Sequence, residues 1–169
     1  METFARWLAA PPAGRSALGL WLGFAILVFV IWLGVPALLG VRFPVEYLAV
    51  PLSLKNLAVM ASTSFGEEFV FRVLPVMTVL YLFPGRTVWA LLAAIVVAYP
   101  FGMWHDWLFT AKTCLGLGGI VLAFAYVKFG GASGKPFNGF LACGGIHAAC
   151  NLVVAVAAHI VLAWSPSVS

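Results

Sequence analysis

The chain has 169 residues, of which 64% are hydrophobic and only 8% charged, with a mean hydropathy of +1.10. A soluble domain needs about 25% charged residues to cover its surface, so this composition excludes a water-soluble fold and points to an integral membrane protein. The net charge of +4 is spread over connecting segments without a basic cluster or aromatic-flanked patch, which excludes nucleic-acid binding.

In chain order, residues 1–16 read as an N-terminal interfacial segment, with a short helix in 1–12 that sets Phe4, Trp7 and Leu8 beside Arg6. Residues 17–40 carry no charge for 24 positions, enough to cross a bilayer as a helix. That run is too long for a cleavable signal core and no A-x-A-like site follows it, so it reads as a retained first span. Arg42, Pro44, Glu46, Pro51 and Lys55 mark a loop, and a second span covers 56–82. Pro84-Gly85-Arg86 is a turn, and a third span over 87–105 ends at Trp104-His105-Asp106-Trp107, tryptophans that suit the membrane interface. A fourth span over 113–129 contains Gly116, Gly118 and Gly119, small residues that permit close helix packing. Lys128 to Lys135 reads as a polar, glycine-rich loop, and a fifth span over 138–164 holds His147, Asn151 and His159 before the short tail Ser165–Ser169. The expectation is one integral membrane domain over 1–169: an all-α polytopic bundle of about five spans, with its active site inside the membrane. Outside the spans, Arg6, Arg15, Arg86, Lys128 and Lys135 lie on the N-terminal side, against Arg42, Lys55 and Lys112 on the other. This bias favours a cytoplasmic N-terminus. Nothing in the pattern fixes an oligomeric state.

An ionisable side chain at membrane depth costs from a few to more than roughly ten kcal/mol, so those retained there pair, line a watery cavity or do chemistry. Glu67, Glu68 and Arg72 sit in the second span, His105 ends the third, and His147 and Asn151 lie in the fifth. Glu68 and Arg72 are i, i+4 and can pair along one helix face. Glu67 is turned about 100° away, which leaves it without a partner in its own span and available to water or a histidine. Phe101 with His105, and His147 with Asn151, repeat the i, i+4 spacing. His159, alone, reads as a packing or interfacial residue.

A carboxylate, two imidazoles and a carboxamide are the parts of a site that activates water: a general base, a proton donor and an oxyanion-stabilising N–H. Ser62 and Ser64 precede the motif without a G-x-S-x-G elbow. A zinc-dependent version stays open, since two His and one Glu are a common catalytic zinc set, although HExxH is absent. A thiol route stays open too, because Cys143 and Cys150 lie i, i+4 and i, i+3 from His147 and could form an acyl-enzyme capable of transpeptidation. Without such spacing to a polar partner, Cys114 reads as a small buried residue. A non-catalytic immunity or transport protein using the same polar cluster is the remaining alternative.

The segments Glu67-Glu68-Phe69-Val70-Phe71-Arg72, Phe101-Gly102-Met103-Trp104-His105 and His147-Ala148-Ala149-Cys150-Asn151 together resemble the three motifs of the CPBP family. These are the CAAX proteases and bacteriocin-processing enzymes, which include the type II CAAX prenyl endopeptidases. The resemblance covers roughly 56–160 and implies an intramembrane glutamic endopeptidase with a water-filled cavity. It implies that Glu67 activates the water, Glu68 pairs with Arg72 to hold the second span, and His105, supported by Phe101, assists at the water. His147 and Asn151 would complete the site and its oxyanion hole, with no catalytic metal. The implied partners are the lipid bilayer and a membrane-anchored protein or peptide. With one span before the motif span, the chain is short for a CAAX endopeptidase. It is closer to small bacterial members, some of which resemble sorting proteases that cut C-terminal anchors. The implied setting is a bacterial or archaeal plasma membrane.

Overall fold

The computed structural model describes residues 2–40, 49–105 and 109–164. Arg42, Pro44 and Glu46 of the expected loop, Asp106 and Trp107, and the tail Ser165–Ser169 lie outside the described residues. Among the described residues every regular element is helical. A short helix α1 (Glu2–Ala9) precedes five long ones: α2 (Gly14–Leu38), α3 (54–82), α4 (Thr87–Trp104), α5 (Phe109–Gly131) and α6 (Pro136–Trp164). Four of these, α2, α4, α5 and α6, are long and apolar enough to cross a membrane. Helix α3 has the length but carries Glu67, Glu68 and Arg72 at its centre, which lowers its hydropathy without shortening it. The expected all-α membrane bundle is therefore the observed one, with four candidate spans among the described residues and α3 as a fifth helix of similar length.

Proline shapes two of the helices. A proline ring clashes with the carbonyl four residues earlier and supplies no N–H. In α2 the π-helical turn Val30–Gly34 ends just before Pro36, and in α3 the π-helical turn Phe69–Val73 ends just before Pro75. Each wide turn takes up the mismatch, and each carries a side chain of the polar centre, Trp32 or Arg72.

Helix α5 is the core of the bundle. In its most apolar stretch 72% of residues are buried, against 11% to 33% in α2, α4 and α6. Lipid is as apolar as leucine, so close van der Waals packing rather than burial from water holds such helices together. Glycine provides that approach where α5 meets α4: a Cβ added at Gly102 would lie 2.3 Å from the Lys112 carbonyl oxygen and 2.6 Å from Gly116 N. Helix α3 packs along α6 and against α4, which brings the three polar segments to one place. Outward-facing Leu18, Ile26, Val59 and Val96 are exposed, as lipid-facing residues should be.

Lys128 departs from its expected place in a loop. Helix α5 runs on to Gly131, where Gly130 (φ 122°) turns the chain, and Lys128 is buried. Its ammonium donates to the carbonyl oxygens of Trp7 and, at 2.7 Å, of Ala10, and lies 4.2 Å from the centre of the Trp7 ring. It thus satisfies the open carbonyl end of α1 and pins that helix to the bundle. Leu8, fully buried, completes the attachment.

Candidate active site

At the middle of α3 the chain presents Ser64, Glu67, Glu68 and Arg72 toward α6 and α4. Glu68 and Arg72 are fully buried, with Nη1 3.1 Å from Oε1. The Nη1–H is not aimed along that line, so the pair is held by Coulomb attraction rather than by an aligned hydrogen bond. The guanidinium also sits 4.2 Å from the centre of the Phe101 ring. Its Nη2 occupies space that a Cβ at Gly119 would fill, 2.6 Å away.

The pairing inferred from spacing is present but incomplete. Glu68 Oε1 also lies 2.8 Å from Nδ1 of His147, which is nearly fully buried. A carboxylate only accepts, so Nδ1 carries the proton and donates. The other ring nitrogen, Nε2, is 3.5 Å from Glu67 Oε2. The two adjacent glutamates thus meet the two nitrogens of one imidazole, although their side chains leave α3 in different directions. Glu67 is the more accessible of the two, 20% exposed against 0% for Glu68.

Aromatic rings fix the imidazole edge-on. Trp32 lies 5.0 Å and Phe101 5.8 Å from His147, centre to centre. Trp32 is itself anchored by donating from Nε1 to the Leu115 carbonyl oxygen at 3.3 Å. It fits because residue 118 is glycine; a Cβ there would lie 1.9 Å from the indole nitrogen. His105, at the end of α4, donates from Nδ1 to the Phe101 carbonyl oxygen at 3.0 Å. Asn151 donates from Nδ2 to Ser64 Oγ at 3.0 Å, and Ser64 in turn donates to the Met60 carbonyl oxygen at 2.9 Å.

Glu67, His105, His147 and Asn151, from three helices, all line one cavity of about 230 Å³. Trp32 and Leu33 of α2 form part of its wall, as does Leu115. Sequence reasoning missed Trp32, the Ser64–Asn151 link and the Glu68–His147 bond. The two bonds join different helices and Trp32 acts through its contacts across helices, so i, i+4 spacing could not reveal them. His159 is set apart, with Nδ1 donating to the Ala155 carbonyl oxygen at 2.9 Å.

The candidate thiols do not join the cavity lining. Cys143 and Cys150 are buried and directed at the carbonyl oxygens of Phe140 and Ala25. Among the described residues, no three His, Cys, Asp or Glu side chains are grouped so as to hold a metal ion.

The chain was also compared with known proteins. No curated protein and no solved structure matches it. A family model described as type II CAAX prenyl endopeptidase Rce1-like matches residues 49–164, a stretch that contains all of α3 to α6 and every polar residue of the cavity. With an all-helical membrane bundle and this cavity at its centre, the chain belongs to the Rce1-like type II CAAX prenyl endopeptidase family.

Proposed function

We propose that the protein is a glutamate-dependent intramembrane endopeptidase that hydrolyses a peptide bond in a membrane-anchored protein or its C-terminal tail. The observation that carries this reading is the convergence of Glu67, His105, His147 and Asn151 on one cavity within an otherwise apolar bundle. Glu67, the accessible carboxylate, takes a proton from a water molecule that His105, in the same cavity wall, helps to orient. The hydroxide attacks the scissile carbonyl carbon. Asn151 Nδ2, held in place by Ser64, and His147 Nε2–H donate to the oxyanion. As the C–N bond breaks, Glu67 returns its proton to the leaving amine, so that one water is consumed and the carboxylate is restored.

Charge balance supports these roles. The Arg72 guanidinium faces Glu68, which leaves Glu67 as the carboxylate without a cation in its own helix and free to act on water. Glu68, bonded to Nδ1, holds the ring in the orientation that aims Nε2 into the cavity, much as the buried carboxylate of a hydrolase triad orients its histidine. The reaction so written uses no cofactor and no thiol. The excess of Lys and Arg at the N-terminal end supports a cytoplasmic N-terminus.

Glu67→Gln tests this reading in purified, vesicle-reconstituted protein. Cleavage of co-reconstituted membrane substrates is expected to vanish while thermal unfolding stays as in the wild type. Unchanged cleavage would refute the role of Glu67.

A further inference from the structure

The turn that joins α3 to α4 carries a cation that the cavity of Glu67 does not use. A groove of about 790 Å³ runs between the two helices, lined by Val79, Phe83, Arg86, Trp89, Leu92 and Val96. Arg86 is its one charged residue, and Phe83, Trp89, Leu92 and Val96 are exposed on the outside of the bundle. From Arg86 to Val96 the groove follows α4 for about 15 Å. That is half of a hydrocarbon core roughly 30 Å thick, the depth of one leaflet. An acyl chain laid along the groove from a headgroup at Arg86 would therefore end near the bilayer midplane.

A second hollow, of about 390 Å³, lies where α1 meets the first turn of α4, with Glu2, Ala5 and Thr87 in its wall. Arg86, Trp89 and Leu92 border both hollows. Neither hollow shares a residue with the cavity of Glu67. Arg86 and Glu2 are exposed, and among the described residues neither has an ion-pair partner. They line one hollow as opposite charges that do not meet.

The charges select the kind of lipid. Anionic lipids are recognised by clusters of about 4–8 Lys and Arg, whereas here one guanidinium and one carboxylate sum to zero. Such a pair matches a zwitterionic headgroup. The guanidinium offers a fork of N–H donors to phosphate oxygens. The carboxylate only accepts, so it needs a cation that donates, which a primary ammonium does and a quaternary one does not. Trp89 suits the headgroup level at which such a lipid would sit.

We propose that Arg86 and Glu2 bind the headgroup of a glycerophospholipid bearing a primary ammonium, with the phosphate on Arg86, the ammonium on Glu2 and an acyl chain along the α3–α4 groove. The lipid joins α1 to the α3–α4 turn at a point separate from the Lys128 contact.

Native mass spectrometry of the full chain tests this, with protein released from detergent micelles that contain equimolar dioleoyl phosphatidylethanolamine, phosphatidylcholine and phosphatidylglycerol. The wild type is expected to retain phosphatidylethanolamine in about tenfold excess over either competitor, the effect of a charge-assisted hydrogen bond. Arg86→Gln should lower retention of all three lipids by a similar factor. Glu2→Gln should keep phospholipid binding and lose the preference among headgroups. Val96→Trp, which fills the far end of the groove without altering either charge, should also lower retention, and its exposed position spares the fold. Equal retention of the three lipids by the wild type, a preference for phosphatidylglycerol, or undiminished retention by Arg86→Gln or Val96→Trp would overturn the proposal.

Discussion

Glu67 and Glu68 are adjacent in sequence, yet replacing each by glutamine should give opposite phenotypes. Glu68 is fully buried between Arg72 and His147, at 3.1 Å and 2.8 Å. Glu68→Gln keeps the shape but leaves the Arg72 guanidinium as an uncompensated charge in the interior, stacked over the Phe101 ring. Removing one partner of a buried ion pair costs about 3–5 kcal/mol, which for a chain of this size corresponds to a fall of about 6–20 °C in melting temperature. The three free cysteines are buried, so a thiol-reactive fluorophore reports unfolding directly in detergent. Glu68→Gln should melt well below the wild type, and Glu67→Gln within about 2 °C of it, since that side chain lies at the edge of the cavity. Replacing both members of the pair, Glu68→Leu with Arg72→Met, should recover most of the stability because neither charge is stranded. It should not recover activity, because His147 loses the group that orients it. A Glu68→Gln protein that melts like the wild type, or a double variant no more stable than the single one, would refute the assignment of Glu68 as the charge-balancing carboxylate.

Gly118→Ala should move the Trp32 indole off the Leu115 carbonyl, at an overpacking cost of about 1–3 kcal/mol. It should also lower kcat through loss of the wall against His147; unchanged kcat and stability would contradict that packing. Asn151→Ala should lower kcat by about 10²–10³-fold, the usual loss of one oxyanion donor, and Ser64→Ala by less, because Asn151 is then present but unanchored. Equal losses in the two variants would contradict the donor role. Exhaustive chelation should leave turnover intact; loss that zinc restores would establish the metal route in its place.

The spans were legible because each is a charge-free or charge-poor run long enough to cross a bilayer, and turns at Pro84-Gly85 and Gly130 to Gly134 separate them. Lys128 is the exception: composition assigns it to a polar loop, but it lies buried in the last turn of α5. A lysine can extend a helix when its ammonium meets the open carbonyls of another, and the partner here is 121 positions away in sequence. Within the site, the four cavity residues and the Glu68–Arg72 pair could be read from i, i+4 spacing, because that periodicity belongs to one helix. The Glu68–His147 bond joins positions 79 apart and follows only from how α3 packs on α6. Trp32 had no sequence signal at all: a tryptophan in an apolar run reads as a lipid-facing or packing residue, and only Gly118 opposite it explains its place. Ser64, which lacks a nucleophile elbow in the sequence, uses its hydroxyl to hold Asn151. The signal available was its spacing, four residues before Glu68 and so on the same buried face of α3.

The most direct measurement of the central claim is cleavage by wild-type and Glu67→Gln protein, side by side, in vesicles prepared in ¹⁸O-labelled water with membrane-anchored substrate proteins. The expected result is one solvent ¹⁸O atom in the new C-terminal carboxylate of each wild-type product, and no product from the variant. Wild-type-rate cleavage by Glu67→Gln, or a covalent substrate adduct on the protein, would contradict a glutamate-activated water.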